Sequence, residues 1–89
     1  MEFKPLKLKK YTNRRLYDTE KSAYVTMEYV TEVIRQGRQI QVSDAKTGED
    51  VTPSILTQIV LEEARSKKYL LPPPLLYLVI QYGENILTE

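Results

Sequence analysis

The chain has 89 residues and a mass of 10.4 kDa, 42% of them hydrophobic and 28% charged, the balance of one small globular domain rather than a disordered tract or a membrane protein. Cysteine and histidine are both missing, which removes disulfide scaffolds, thiolate zinc sites, Cys-His nucleophiles and the commonest general base. The formal net charge of +1 hides an asymmetry: Lys4 to Arg15 holds six cations and no acid, while the other 77 residues carry seven cations and twelve acids.

Leu6-Lys7-Leu8-Lys9-Lys10-Tyr11 alternates apolar and basic residues, the period of a half-buried strand with Leu6 and Leu8 inward and Lys7, Lys9 and Tyr11 outward. Thr12-Asn13-Arg14 supplies a turn, because asparagine tolerates left-handed backbone, and Arg15-Leu16-Tyr17-Asp18 returns antiparallel. Thr19 to Ser22 leads to the β-prone Ala23-Tyr24-Val25, completing a small meander. Thr26 then caps an amphipathic helix over 26–36 whose apolar positions are Met27, Val30, Val33 and Ile34, and Gly37 ends it in a left-handed cap. A strand follows from Gln39 to Asp44, and Lys46-Thr47-Gly48-Glu49 is a turn.

Thr52-Pro53 starts a second helix over 53–68, with Thr52 as its cap, Ile55, Leu56, Ile59 and Val60 as its buried face, and Glu63 outside that stripe, paired with Lys67. Pro72-Pro73-Pro74 prevents its continuation, and a third helix spans 75–88. That last helix is apolar on every side, so Leu75, Leu76, Leu78, Val79, Tyr82 and Ile86 are candidates for an oligomer or polymer contact. The ending at Glu89, inside this segment, points to a longer parent domain. The expected fold is α+β: a single domain, 1–89, with a short antiparallel sheet of the meander plus one later strand, packed by two or three helices.

A chain this short buries only roughly 60 to 65% of its unfolded surface on folding, which favours a homo-oligomer. Its apolar runs fall short of the ~20 residues that span a bilayer, and Met1-Glu2-Phe3-Lys4-Pro5 lacks a signal peptide's apolar segment, so we expect a cytoplasmic protein. Neither an activated nucleophile nor a poised acid-base pair is visible, so an enzyme is not expected. Asp18, Glu20, Asp44, Asp50, Glu62 and Glu63 show no metal-ligand spacing and suit turns, caps and solvated helix faces, so no metal or other cofactor is expected. Tyr24, Tyr29 and Tyr77 read as core-packing rings with surface hydroxyls.

The candidate site is Lys9, Lys10, Tyr11, Asn13, Arg14, Arg15 and Tyr17. A two-stranded ribbon fits the DNA major groove, arginine reads guanine bidentately, asparagine reads adenine, and lysines collect phosphates. Stacking of RNA bases on Tyr11 and Tyr17 is equally allowed at this level. Exposed-edge solubility is a common use of lysine, but two adjacent arginines beside asparagine and tyrosine exceed what edge protection needs. Asp18 is placed to pair with Arg15 or Arg14.

Lys9 to Thr19 followed by Ser22-Ala23-Tyr24-Val25-Thr26, then Val42 to Asp50, then Ser54 to Glu63 form three ordered blocks. Together they resemble the N-terminal DNA-binding domain of polyhydroxyalkanoate synthesis repressors, over roughly Leu8 to Gly83. Thr12 stands where that family usually has proline, and Pro53 where it has a polar residue. The resemblance implies a bacterial transcriptional repressor that binds double-stranded promoter DNA of phasin genes. It also implies release when polyhydroxyalkanoate granules sequester the regulator, through a C-terminal region beyond this chain. Two rivals remain. One is a ribbon-helix-helix-like core that puts Gln39, Gln41 and Ser43 in the groove and leaves the N-terminus as a flexible arm. The other is a granule-associated interaction module that binds nucleic acid only nonspecifically.

Overall fold

A computed structural model describes residues 4–12, 15–66 and 71–87. The elements run β1 (Leu6–Tyr11), β2 (Arg15–Asp18), β3 (Ala23–Val25), α1 (Met27–Arg35), β4 (Ile40–Asp44), α2 (Thr52–Arg65) and α3 (Pro73–Leu87). They fall into two compact units, Met1–Ile59 and Val60–Glu89, with α2 crossing the division.

The first unit holds a four-stranded sheet in the order β3-β2-β1-β4. The meander is antiparallel as expected, with Tyr11 opposite Arg15 and Tyr17 opposite Tyr24. β4 joins β1 in parallel, Leu6 beside Ile40 through Lys10 beside Asp44, so the sheet is mixed. This makes β1 an inner strand, which overturns the rival core with a flexible N-terminal arm.

Alternation along the strands sorts their side chains by face. Leu6, Leu8, Leu16, Ile40 and Val42 are buried together with Val30 of α1 and Ile55 and Ile59 of α2. Met27, Tyr29, Val33 and Ile34 pack against this cluster, as the helical spacing predicts for α1. On α2 the buried arc is narrower than expected: Ile55 and Ile59 are inside, but Leu56 is 40% exposed. One residue of helix turns the side chain by about 100°, enough to leave the stripe. Glu63 lies four residues beyond Ile59 on the Ile55 side of the helix and is buried, contrary to its expected solvent role. The expected partner Lys67 is outside the described residues.

The loops are held by short polar side chains. The Thr26 hydroxyl caps α1 by accepting from the Tyr29 amide at 3.1 Å. Gly37 (φ 101°) closes α1 with its N–H on Ile34 O at 2.9 Å while Arg38 N–H reaches Val33 O at 3.3 Å, the paired bonds of a Schellman motif. Thr52 is not the cap of α2. Its hydroxyl accepts from the Val42 amide at 2.8 Å, the Asp50 carboxylate accepts the Thr52 amide at 2.8 Å, and Val51 O takes the first helical amide, that of Ile55. With Val51 N–H on Val42 O, this return of the chain covers the outer edge of β4. Across the sheet, Arg38 binds the Glu20 carboxylate through both terminal nitrogens and donates through Nε to Lys4 O at 2.8 Å.

Asp44 Oδ1 accepts the amides of Lys46 and Thr47 at 2.8 and 3.0 Å. The Thr47 and then the Lys46 amide hold its carboxyl below the ordinary carboxylate range, with Lys10 adding to the effect. Asp50 is held low by the Thr52 hydroxyl and amide. A depressed folded-state pKa contributes stability above the unfolded value of about 4, and that contribution is lost as pH falls through the folded value. Asp44→Asn keeps a carbonyl acceptor but no titration, so its urea stability drops less than the wild type's between pH 5 and pH 2.

The second unit contains the last residues of α2 and all of α3. Glu62 and Arg65 pair at 3.3 Å on the surface of α2. α3 starts at Pro73, two residues earlier than expected. Pro73 and Pro74 occupy first-turn positions whose amides have no intrahelical acceptor, and Pro72 O takes the amides of Leu75 and Leu76. Leu75, Leu76, Leu78, Val79 and Tyr82 are all exposed, as is Tyr77 at 65%, so Tyr77 is not a core ring. The Ile86 side chain lies outside what the structure describes.

Candidate nucleic-acid interface

The basic segment is divided by strand parity. Lys7, Lys9 and Tyr11 of β1 and Arg15 and Tyr17 of β2 project from the face opposite the core, joined there by Tyr24 of β3 and Gln41 and Ser43 of β4. Lys10 has the parity of Leu6 and Leu8. It is half-buried beside Asp44, and its carbonyl accepts the Ala45 amide at 2.9 Å. Lys9 and Lys10, which sequence reasoning treats as one pair, thus serve different sides of the sheet. Asn13 and Arg14 lie outside the described residues, in the three-residue connection closed by the Tyr11–Arg15 pair.

On the outer face three tyrosines meet edge to face. Ring centroids are 5.3 Å apart for Tyr17 and Tyr24, 5.9 Å for Tyr11 and Tyr24, and 6.3 Å for Tyr11 and Tyr17. The Arg15 guanidinium lies 4.0 Å from the Tyr24 ring centroid, a cation-π contact that favours this placement of the side chain. Tyr24 is 48% exposed and belongs to this surface, whereas Tyr29 packs on the core as expected. The Tyr24 position could have been found only from the register with Tyr17; its own three-residue strand is too short to show a period.

Asp18 does not pair with Arg15. Three positions along a strand place them on opposite faces, and the buried Asp18 carboxylate accepts the amides of Glu20 and Lys21 at 2.8 and 3.1 Å, holding the β2–β3 turn. Among the described strand residues no carboxylate projects from the outer face. Asp50, just beyond the strands, is bridged to Ser43, lines one hollow with Lys7 and Lys9, and is engaged with the Thr52 amide.

The parallel pairing has a second effect. Because β1 and β4 run the same way, the turn after β4 lies beside the end of β1, and Lys10, Tyr11 and Thr12 line one hollow with Asp44, Lys46 and Thr47. Lys46 is therefore a cation at the tip of the sheet that lies outside the linear run from Lys4 to Arg15. Among the described residues no group of three or more carboxylate, cysteine or histidine side chains could hold a metal, and no helix is long and apolar enough to cross a membrane.

Comparison with known proteins identifies the family. Residues 7–67 match the family model of the PHB/PHA accumulation regulator DNA-binding domain. A protein of Allochromatium vinosum described as uncharacterized is 41% identical over 75 residues, 84% of this chain and 49% of its own length. A Thiocystis violacea protein, described as encoded in the phbA 5' region, is 40% identical over 75 residues, 84% of this chain and 54% of its own length. The chain spans about half the length of these curated relatives. No solved structure matches it significantly. The matched segment takes in all of the sheet but Leu6, together with α1 and α2, and on that footing the chain belongs to the family of PHB/PHA accumulation regulator DNA-binding domains, a family of DNA-binding regulators and not of enzymes.

Proposed function

We propose that this domain represses transcription by placing the β1–β2 end of its sheet in the major groove of promoter DNA, at genes for polyhydroxyalkanoate granule proteins such as phasins. The observation that carries the reading is the cationic ribbon end: Arg15 is held over Tyr24 beside a connection that contains Asn13 and Arg14. Arg14, Arg15 and Asn13 read base edges, Lys9 and Lys10 bind phosphates on either side, and Tyr11 and Tyr17 pack against the backbone. The exposed apolar residues of α3 join copies into a dimer or tetramer. Growing granules draw the regulator off its operator, through differential affinity of the C-terminal region that full-length family members carry.

The test is a competition. Full-length regulator is bound to a labelled phasin promoter fragment and titrated with polyhydroxyalkanoate granules, with random DNA of equal length in parallel. Displacement from a site bound in preference to random DNA supports the switch. Granule binding with no sequence preference favours the interaction-module rival and overturns repression.

Lys46 gives a narrower prediction. As a phosphate contact at the sheet tip, its replacement by alanine reduces the slope of log affinity against log salt by about 0.9 and weakens promoter and random DNA alike. Filter binding across a salt series measures both.

A further inference from the structure

We propose that the open face of the sheet is a binding platform for single-stranded nucleic acid, its bases stacking on the Tyr11, Tyr17 and Tyr24 cluster and its phosphates held by Lys7, Lys9 and Arg15. Width separates this activity from duplex reading. Four strands spaced about 4.8 Å apart put the outer strands about 14 Å from one another before side chains are counted, whereas the major groove is about 12 Å wide. The ribbon end enters such a groove, but the whole face does not. A single strand has no groove to fit, and it can lie across all four strands.

The chemistry of the face selects unpaired bases. In a duplex the flat surfaces of the bases are hidden by stacking, so exposed tyrosine rings gain little from it; unpaired bases offer those surfaces. Tyr11 is 38% exposed and Tyr24 48%, large rings left in water on the outer face of the sheet. Their mutual inclinations of 69 to 78° are edge-to-face, which leaves ring surface open where a parallel stack would consume it. The Arg15 guanidinium above Tyr24 extends the aromatic surface with a second flat group that also carries charge. Charge complementarity supports the case: Lys7, Lys9 and Arg15 share the face and among the described strand residues no carboxylate projects beside them, while Asp50, which lines a hollow with Lys7 and Lys9, is engaged by the Thr52 amide. Gln41 and Ser43, beside Lys7 and Lys9, offer donors and acceptors to exposed base edges.

The chain has seven tyrosines and no tryptophan, so its own emission reports ring stacking. The domain is titrated with 15-nucleotide dT and rU oligomers and with a duplex promoter fragment, following tyrosine quenching and the anisotropy of labelled nucleic acid. Saturable single-strand binding with quenching is expected, and the dT and rU arms show whether DNA or RNA is preferred. Tyr24→Ala lowers single-strand affinity about fivefold to a hundredfold and Tyr24→Phe retains it; because Tyr24 also supports Arg15, duplex affinity falls too, but by a smaller factor. Tyr11→Leu keeps apolar bulk without the ring, so its loss of single-strand affinity at unchanged melting temperature reports stacking and not misfolding. Wild-type single-strand binding by folded Tyr11→Leu and Tyr24→Ala, or binding without quenching, overturns the platform. The duplex arm is scored separately, so this outcome leaves the major-groove reading standing or falling by its own variants.

Discussion

A domain in which Arg14 and Arg15 are both alanine binds a cognate promoter fragment several kcal/mol more weakly than the wild type, at about 1 to 3 kcal/mol for each bidentate arginine–base pair removed. The loss on random DNA is smaller, because only the phosphate attraction of two cations disappears there. Stability hardly changes: Arg15 lies on the solvent face, and its ring contact with Tyr24 is worth about 0.5 to 1 kcal/mol at an exposed site. Thermal melting and circular dichroism check the fold, and anisotropy with both DNAs measures the ratio. Equal affinity of the folded double variant and the wild type for promoter DNA would falsify base reading by the ribbon. Arg15→Lys separates charge from shape, since an ammonium keeps the phosphate attraction but loses the planar fork.

The second large effect is on the fold. Leu8 is 1% exposed, in the inner strand between β2 and β4, and its replacement by alanine costs about 2 to 5 kcal/mol. A domain of this size has a total stability of only about 0.05 to 0.15 kcal/mol per residue, so the variant forfeits a large share of it. In urea the midpoint moves sharply down with little change in slope. DNA binding fails with the fold, because Lys9 and Tyr11 are presented by the same strand, and saturating promoter DNA raises the midpoint again by linkage. Leu56→Ala, removing a side chain already 40% exposed, costs much less and serves as the comparison.

Which parts of this molecule can be read without coordinates follows from the range of each interaction. The inward Leu6 and Leu8, the Thr26 cap and the Gly37 stop are local, and the sequence pattern predicts them correctly. The existence of β4 is local too, but its neighbour and direction are not: alternation tells which side of a strand is buried and is silent on what it pairs with. That silence hides Gln41, Ser43 and Lys46 from any grouping made along the basic run, and it hides Tyr24, which reaches the surface through its register with Tyr17. The opposite assignment of Lys9 and Lys10 was legible, since adjacent strand residues must diverge; grouping residues by charge obscured it. At Thr52 a helix cap and a bond to a strand edge use the same hydroxyl, and only the spatial neighbour Val42 decides between them.

The place of β1 also constrains how the chain folds as it is made. β1 leaves the ribosome before the other strands and finds β2 almost at once, yet its other neighbour, β4, is synthesised only after β3 and α1. Until then its second row of backbone donors and acceptors is open, and the Leu6 and Leu8 side chains have only α1 to cover them. Such nonlocal closure slows folding, because loop entropy is lost before the final contacts repay it. A nascent chain halted before Asp44 therefore exposes an unfinished half-sheet, and the core closes only as α2 emerges with Ile55 and Ile59.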